Sequence, residues 1–377
     1  MKKTEHVGLR TWIEVDTRAI KANYQTFRKL IPKNVRMAGV VKSNAYGHNL
    51  TEFALELEKL GIDMLAVDSI TEALSLRKSG IKAPILVLGY TLPEMFAKAV
   101  GKNVHLTISS IDGLRTFLKT NKAKKIPVHI KVDTGMHRQG FLLSEVEKVL
   151  SMLSTAKVDI AGLYTHFAEA KSPQDRAFTS GQLVEFEAWR VAVASAGFSP
   201  VVHAGATGGS LAFPGAHFDM ARIGIGMYGA WPSEELKHAF IKKFILKPVL
   251  SWKTIISEVK DVKKGEAVGY DLTHQFAQPS RIAVCPIGYW HGYPRLLSNN
   301  AEVLVRGVRA KVLGRVSMDM TVIDVTNILG VKIGDEVVLI GCSGKEEVTA
   351  HELALHSNST AYEILTRLNP LMKRVYR

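Results

Sequence analysis

Eight short apolar runs, separated by amphipathic stretches, occupy the first two thirds of the chain and constrain its fold more than any other feature. They are residues 37–42, 64–68, 85–89, 104–108, 128–133, 160–166, 201–204 and 222–228. Buried strands that alternate with helices long enough to cross a sheet are typical of βαβ units with parallel strands. Eight such units predict an α/β fold with a (β/α)8 TIM barrel. A doubly wound open sheet is the alternative, but no G-x-G-x-x-G follows the first run.

The pattern changes after about residue 237, where longer β-rich runs are punctuated by turn signals such as Lys264-Gly265 and Arg306-Gly307. This pattern predicts a mostly antiparallel second domain. We therefore expect a barrel over residues 1–240 and a C-terminal β-rich domain over residues 241–377. Two helical patterns, at 349–356 and 360–368, close the chain.

The chain is basic, with 49 Lys and Arg against 35 Asp and Glu in 377 residues, a formal net charge of +14. The basic residues form brief clusters such as Lys242-Lys243, without a long basic tail or an aromatic-rich RNA-binding motif. We interpret them as a solvated surface and as groups for anionic small molecules, and we expect no nucleic-acid partner.

Two cysteines, Cys285 and Cys342, provide neither a disulfide framework nor a metal-ligand spacing. The first ten residues contain no apolar core of signal-peptide length, and no apolar run approaches the 18 residues of a membrane span. We therefore expect a cytoplasmic protein with reduced thiols, no metal and no membrane partner.

Lys42 follows the first apolar run in the segment VVKSNAYGH, residues 40–48. A lysine at the end of a buried parallel strand is expected to lie in a low-dielectric pocket. Such a pocket favours the neutral amine, which is the form that makes a Schiff base with an aldehyde. Lys42 is thus a candidate anchor for pyridoxal 5'-phosphate (PLP). Considered alone, it fits a solvated loop lysine better.

Reactive side chains also follow several other runs, at the strand ends where barrels place their chemistry. These are Tyr46, Lys131, Asp133, Arg138, His166, His203 and Arg222, the last opening run eight. Two small-residue segments, 206–209 (ATGG) and 223–226 (IGIG), follow the strands after which barrels usually bind phosphate. A lysine and a two-loop phosphate site together form the arrangement that a PLP enzyme needs.

Seven ordered segments together resemble the alanine racemase family over nearly the whole chain. They are VVKSNAYGH (40–48), KVDTGMHRQGF (131–141), THFA (165–168), MARIGIGMYG (220–229), Gly269-Tyr270, PIGYWHGY (286–293) and GRVSMD (314–319). The resemblance implies a barrel with a β-domain, PLP as cofactor, and interconversion of L-alanine and D-alanine through a PLP external aldimine.

The resemblance assigns the two catalytic bases, one on each face of the substrate, to Lys42 and Tyr270. To act near neutral pH, Tyr270 needs a phenol pKa below its usual value of about 10, and a relay from His166 to Arg222 is a candidate cause. Without the other segments, Tyr270 would be interpreted as a surface aromatic after a turn.

Arg222 is implied to face the pyridine nitrogen of PLP, where many PLP enzymes place a carboxylate. Because a guanidinium seldom gives up its proton, the ring nitrogen is expected to stay unprotonated, which favours racemisation over transamination. A structural ion pair is the alternative role for this arginine. Arg138 is implied to bind the cofactor phenolate oxygen and the substrate carboxylate. Lys131 matches a lysine that is often carbamylated in the family and then orients Arg138.

The remaining implied cofactor contacts are His166 and, around the phosphate, Tyr46, Thr207, Gly224, Ile225 and Tyr362. Met318, with Asp319 and Tyr289, resembles groups that the partner subunit brings to the substrate, as it does Tyr270. A homodimer with shared active sites is therefore implied. Ala206 departs from the family pattern, which usually has asparagine there, and we expect weaker cofactor binding or a slightly altered pocket from the lost amide.

Two other functions remain open from the sequence. The first is a PLP decarboxylase of the same architecture, which Arg222 disfavours because such enzymes need a protonated ring nitrogen. The second is a non-catalytic PLP-binding protein, which would not need Tyr270 or the Met318 segment. Alanine is the expected substrate, with serine or a longer amino acid as the alternatives. The expected role is supply of D-alanine for peptidoglycan or alanine catabolism.

Overall fold

A computed structural model describes residues 8–120, 126–156, 158, 160–172, 174 and 176–377 of the chain. The chain divides into two compact units. The barrel unit contains Ile20–Ala45 and Leu50–Lys247, and the β unit contains residues 8–19, Tyr46–Asn49 and Pro248–Arg377. The chain enters the β unit first, through strand β1 (Thr11–Val15).

Eight parallel strands form the sheet of the barrel unit. They are β2 (Arg36–Val40), β3 (Met64–Val67), β4 (Ile85–Val87), β5 (Val104–Ile108), β6 (Val128–Lys131), β7 (Ile160–Tyr164), β8 (Val201–His203) and β9 (Met220–Ile223). Their order is β8-β7-β6-β5-β4-β3-β2-β9, and β8 and β9, at the two ends of this order, lie in contact. The sheet is thus a nearly closed barrel, and the predicted (β/α)8 architecture is confirmed.

Helices α1–α10 follow the strands or precede them. They are α1 (Thr17–Leu30), α2 (Lys42–Tyr46), α3 (Leu50–Lys59), α4 (Ile70–Lys78), α5 (Phe96–Ala99), α6 (Ile111–Thr120), α7 (Val146–Ala156), α8 (Ala177–Ser195), α9 (Thr207–Ala212) and α10 (Glu234–Phe240). Each longer helix buries one apolar stripe, as with Phe53 and Leu57 in α3. Within the described part of the chain, none of the helices has the length and apolar character needed to cross a membrane.

The β unit is built on one ten-stranded sheet. Its strands run in the order β11-β14-β17-β16-β15-β18-β10-β1-β20, with β19 paired to β18. The bounds are β10 (Leu250–Ile255), β11 (Glu258–Val262), β14 (Ser280–Cys285), β15 (Glu302–Val305), β16 (Val308–Leu313), β17 (Thr321–Asp324), β18 (Glu336–Ser343), β19 (Glu346–Val348) and β20 (Lys373–Tyr376). A separate pair, β12 (Ala267–Val268) and β13 (His274–Gln275), and helices α11 (Ala350–His356) and α12 (Ala361–Thr366) complete the unit. The mostly antiparallel pairing predicted from the turn signals is confirmed.

The division into units differs from the boundary predicted at residues 240 and 241. It falls between Lys247 and Pro248, and the first strand belongs to the β unit because β1 pairs with β10 and β20. The pattern TWIEV indicates a strand, but a sequence does not show which distant strand completes its hydrogen bonds.

The eighth apolar run also differs from its expected form. The strand covers Met220–Ile223, and residues 225–228 form a 3₁₀ turn instead of continuing it. Glycines 224 and 226 interrupt the extended backbone there. Arg222 therefore lies near the carboxyl end of β9 and does not open the strand, so its side chain starts closer to the end of the barrel where chemistry is expected.

Candidate active site

Lys42 begins a short turn of unusual backbone conformation. Strand β2 ends at Val40, the Val41 N–H donates to the Ala66 carbonyl at 2.8 Å, and residues 43–46 then have φ values of 56°, 56°, 50° and 50°. Residues with a Cβ pay roughly 1–2 kcal/mol each for this left-handed conformation. Strain of this kind persists only where surrounding contacts enforce it, and it concentrates at functional sites.

Glu72 is the side chain that enforces the turn. Its Oε1 accepts the N–H groups of Ser43 at 2.7 Å and Asn44 at 3.4 Å, while its Oε2 accepts the Asp68 N–H at 2.9 Å. Glu72 also completes a capping box with Ser69 at the start of α4. Sequence reasoning missed Glu72 as a site residue, although the Ser-x-x-Glu spacing of a capping box was visible at 69–72.

The Lys42 amine lies closer to solvent than we expected. Its Nζ is 3.6 Å from Asp68 Oδ1, and its side chain is 38% exposed. The expectation of an enclosed low-dielectric pocket is therefore wrong for this chain on its own. The side chain is instead accessible to a carbonyl compound that enters from the carboxyl ends of the strands.

Four cations at the carboxyl ends of the strands lie near enough to His166 to lower its pKa. Burial is the main cause that lowers the His166 pKa to about 3, and Arg222, Arg138, Lys131 and Lys42 lower it further in that order. His166 is therefore neutral at pH 7. The structure thus brings together five of the predicted site residues, and the concentration of positive charge suits an anionic ligand.

Lys131 is buried within this group of cations. Burial, followed by the charges of Arg138 and Arg222, lowers the pKa of its amine to about 8. The amine therefore stays mostly protonated at pH 7, but roughly a tenth of it is neutral, far more than for an ordinary lysine, and the neutral form reacts with carbon dioxide. The lowered pKa is compatible with the carbamylation implied for this lysine.

Asp133 positions the loop that bears Arg138. Its carboxylate accepts the N–H groups of Gly135 at 2.9 Å, His137 at 3.0 Å and Arg138 at 3.1 Å. Burial alone would raise the Asp133 pKa, but these backbone hydrogen bonds hold it below its usual range. The ionised carboxylate therefore fixes the backbone from which the exposed Arg138 side chain extends.

Arg222 is buried and is held by neutral acceptors. Its guanidinium donates to His203 Nδ1 at 2.7 Å and to the carbonyls of Ala204 at 2.8 Å and Thr165 at 2.9 Å, and it lies 3.4 Å from His166 Nδ1. Burial lowers its pKa to about 10, so it remains a cation at pH 7. These contacts are hydrogen bonds to uncharged groups and do not form the structural ion pair considered above.

Thr207 joins the two small-residue segments. Its Oγ1 accepts the N–H groups of Gly224 at 3.0 Å and Gly226 at 3.4 Å. Both bonds use the oxygen as an acceptor, so the hydroxyl proton is left to donate to a phosphate oxygen. A Cβ at position 226 would lie 2.4 Å from the Phe27 ring, which explains the glycine. Ala206 directly precedes α9 and forms no side-chain cap there.

Tyr46 and Tyr362 lie together in the β unit, with ring centroids 6.1 Å apart. Burial raises the pKa of Tyr362 to about 12 and raises that of Tyr46 further. Both hydroxyls are therefore protonated and can donate hydrogen bonds to an anion.

Tyr270 lies in an exposed turn of the β unit. Gly269, Asp271 and Leu272 have φ values of 77°, 60° and 47°, and Tyr270 is 70% exposed. Met318 is 55% exposed. Its segment is fixed to the turn at Tyr289, because the Tyr289 N–H donates to the Ser317 carbonyl and the Trp290 N–H to the Met318 carbonyl, both at 3.0 Å.

The residues of the barrel unit fit PLP. Lys42 supplies an accessible amine, Thr207 with its two glycine contacts supplies a phosphate donor, and Arg222 supplies a buried donor held by neutral groups. Their positive charge matches the phosphate and carboxylate groups of the cofactor and an amino-acid substrate.

Comparison with known proteins agrees with this geometry. The model of the alanine racemase N-terminal domain matches residues 15–232, and that of the alanine racemase C-terminal domain matches residues 249–376. An alanine racemase from Syntrophobacter fumaroxidans is 40% identical over 357 residues, which cover 94% of each chain. An alanine racemase from Methylacidiphilum infernorum is 37% identical over 98% of this chain and 93% of the relative.

Solved structures give the same result. The alanine racemase from Bacillus anthracis with bound L-Ala-P has a TM-score of 0.92 at 35% identity, over 98% of this chain and 95% of that one. The alanine racemase from D-cycloserine-producing Streptomyces lavendulae has a TM-score of 0.92 at 30% identity, over 98% and 97%. The chain therefore belongs to the alanine racemase family of PLP-dependent isomerases.

Proposed function

We propose that this protein interconverts L-alanine and D-alanine, with Lys42 and Tyr270 as the two bases on opposite faces of the substrate. The observation that supports this most is the setting of Arg222. A buried cation whose partners are His203, His166 and two carbonyls is a hydrogen-bond donor that keeps its proton. Such a donor suits an unprotonated ring nitrogen, whereas a decarboxylase needs a carboxylate at that position.

PLP, when bound, withdraws electrons from the substrate α-carbon and so makes its proton removable. Lys42 anchors the cofactor and then accepts or returns this proton at its Nζ. Thr207, Gly224 and Ile225 of the barrel unit are the proposed phosphate ligands. Tyr46 and Tyr362 of the β unit are proposed as hydroxyl donors to an anion. The protonated state of both tyrosines supports their role as donors.

Arg138 binds the substrate carboxylate in this proposal, and Lys131 orients it as a carbamate. The charge on Arg138 is one of the causes that lower the Lys131 pKa, so the two side chains interact. An uncarbamylated, protonated Lys131 would repel Arg138. Its carbamate would instead attract the guanidinium and set its direction.

Tyr270 and Met318 serve the partner's site in a homodimer. The surface around them supports this, since Leu272, Trp290 and Met320 are 68%, 57% and 56% exposed. Exposed apolar side chains concentrated on a few adjoining turns are typical of an interface between subunits.

Mixing two inactive variants tests the shared site. Lys42→Ala and Tyr270→Phe homodimers are dissociated and reassociated together. Random pairing makes half of the dimers mixed, and one of the two sites in each mixed dimer then has both bases. Activity should therefore return to about a quarter of the wild-type value. Sites formed within single chains would restore none.

The proposed role is supply of D-alanine for peptidoglycan or alanine catabolism, in the cytoplasm. Cys285 and Cys342 are both free thiols, which supports a reducing compartment. Serine remains a second substrate to test beside alanine.

The first experiment is proton NMR of L-alanine with the PLP-loaded protein in D₂O, followed by chiral analysis. Loss of the Cα proton while D-alanine accumulates to equality is the expected result. Absence of exchange and of D-alanine with the loaded enzyme would overturn the proposed activity.

A further inference from the structure

Three histidines form a continuous column inside the barrel, beginning at Arg222. His203 Nδ1 accepts from Arg222 at 2.7 Å, and His203 Nε2 lies 2.9 Å from His129 Nδ1. His129 Nε2 lies 3.1 Å from His105 Nδ1, and His105 Nε2 lies 3.4 Å from Asn103 Oδ1. The column runs from β9 across β8 and β6 to β5, and it ends at the exposed residue that precedes β5.

The order of donors along this column is determined by its two ends. The Arg222 guanidinium only donates, so His203 Nδ1 must be an acceptor and its proton must be on Nε2. That proton is donated to His129 Nδ1, which places the His129 proton on its own Nε2. The same argument places the His105 proton on Nε2, where the side-chain amide oxygen of Asn103 accepts it. One tautomer therefore satisfies all three rings.

The backbone makes room for this column at one position. His129 on β6 must pass β7 to contact His203 on β8, and its register partner on β7 is Gly162. A Cβ at position 162 would lie 2.1 Å from His129 Nδ1 and 2.4 Å from its Cε1. Any other residue at Gly162 would push the ring away from His203, so the glycine is needed for the contact.

The column is neutral as well as ordered. Burial lowers the pKa of His129 and His203 well below the usual value, and burial with the charges of Arg77 and Arg36 lowers that of His105 to about 4. Tyr164 packs against the end of the column next to Arg222, with its ring stacked on His203 at 4.7 Å between centroids. The rings therefore exchange hydrogen bonds without adding charge to the site.

We propose that His129 and His105 are positioning residues for the racemase reaction, because they accept the chain of N–H donors that begins at His203 Nε2 and so hold the His203 ring with its Nδ1 acceptor in front of Arg222. This inference rests on the proposed function, in which Arg222 faces the ring nitrogen of the cofactor. Without His129, the buried His203 Nε2–H would lose its acceptor, and the ring would be free to turn away from the guanidinium. Arg222 would then lose its shortest hydrogen bond and its fixed position.

A packing role for the same histidines makes a different prediction. Buried side chains that only fill space can be replaced by apolar groups of similar size with loss of stability alone. Positioning residues must also change the state of the group they act on. The distinguishing measurement is therefore the hydrogen-bonding state of the His203 ring together with the product ratio, and the first of these can be read by ring ¹⁵N NMR without substrate.

The test uses ¹⁵N-histidine-labelled holoenzyme and two variants, His129→Leu in the middle of the column and His105→Leu at its partly exposed end. His238→Leu, on the exposed face of α10, is the matched control. Ring ¹⁵N NMR of the wild type should show His105, His129 and His203 protonated on Nε2 only. In His129→Leu, the His203 Nε2–H loses its acceptor, so its ring ¹⁵N signal should shift and its proton should exchange faster with water, and in His105→Leu the change should be smaller. His238→Leu should match the wild type.

Two kinetic readouts accompany the spectra. We expect kcat for alanine racemisation to fall roughly tenfold in His129→Leu while KM changes less than about twofold, since the substrate contacts remain. The ratio of pyruvate released by side transamination to D-alanine formed should rise, because a displaced Arg222 controls the ring nitrogen less well.

Two outcomes would overturn the proposal. One is a wild-type His203 that is protonated on Nδ1. The other is a folded His129→Leu or His105→Leu holoenzyme whose His203 ring ¹⁵N signals and product ratio equal those of the control. If His129→Leu does not fold, His105→Leu decides the question. A wild-type enzyme without racemase activity would overturn the proposed function, whereas the tautomers would still be measured.

Discussion

The two candidate bases lie beside backbone segments of similar conformation, but different contacts hold these two segments in place. Lys42 precedes four residues with positive φ, which are held by the Glu72 carboxylate through backbone N–H groups. Tyr270 also lies among residues with positive φ, but its neighbour Asp271 contacts Arg315 at 3.4 Å and Arg295 at 3.7 Å through exposed side chains. Exposed ion pairs contribute little, whereas charge-assisted bonds to backbone N–H groups contribute more.

This difference indicates where each base acquires its final environment. The Lys42 turn is fixed by contacts within the barrel unit. The Tyr270 ring, 70% exposed, has few contacts that set its position. A catalytic phenol needs a defined place and a lowered pKa. The comparison therefore predicts that Lys42 is largely prepared in each chain and that Tyr270 is completed only by association.

The largest expected effect is that of Lys42→Ala. Loss of both the cofactor anchor and one base should reduce kcat for alanine racemisation by about 10⁴-fold or more. Chiral chromatography of the product measures this. Lys59→Ala, on the exposed surface of α3, should leave the rate unchanged. A Lys42→Ala enzyme with a tenth of the wild-type rate would remove Lys42 from the mechanism.

Tyr270→Phe should reduce racemisation by roughly 10²–10³-fold, because only one of two bases is lost. In D₂O, the Cα proton of one enantiomer should still exchange while that of the other should not. The control is Tyr90→Phe, a similarly exposed tyrosine of the barrel unit. If exchange fell equally for both enantiomers, Tyr270 would not be a base specific to one face.

Lys131→Met removes the side chain that is proposed to orient Arg138, and we expect a loss of about tenfold in kcat/KM. Wild-type enzyme in ¹³C-bicarbonate should show a carbamate signal that increases as the pH rises towards 8, because the neutral amine reacts. The variant should lack it. A wild type without the signal would leave Lys131 as an amine.

The same lysine has a consequence for stability. Its folded pKa of about 8 lies below the ordinary 10.5, so the unfolded chain binds more protons between these values. The contribution of Lys131 to the free energy of unfolding should therefore rise as the pH increases from about 8 to 10.5. For the carbon dioxide-free protein, denaturant titrations should show a smaller rise in Lys131→Met. Equal slopes would contradict the lowered pKa.

Glu72→Gln should have the smallest effect. The amide keeps an acceptor oxygen but loses the charge, so we expect a loss of about 1 kcal/mol in stability and a few-fold decrease in kcat. Urea unfolding and initial rates measure the two. Glu147→Gln, exposed on α7, is the control. An effect no larger than that of the control would show that the Lys42 turn does not depend on Glu72.

The sequence predicted the barrel and the antiparallel sheet because strand period and turn residues are local signals. The relay between His166 and Arg222 was inferred only through the resemblance to alanine racemases, and the two side chains lie 3.4 Å apart. The prediction that Arg222 opens a strand was wrong, because the strand begins at Met220. The prediction also placed β1 in the barrel, whereas β1 pairs with strands of the β unit. The Glu72 support of the Lys42 turn and the histidine column were missed, because both depend on side chains that meet only after folding.

The pairing of β1 also bears on how the chain is made. Thr11 and Thr254 share a hydrogen bond although they are 243 positions apart, and β1 pairs as well with β20. During synthesis, strand β1, with the apolar side chains of Trp12, Ile13 and Val15, therefore stays unpaired until β10 and β20 have left the ribosome much later. Unpaired strands of this kind associate readily with other chains. The nascent protein is accordingly expected to depend on chaperones that shield this first strand.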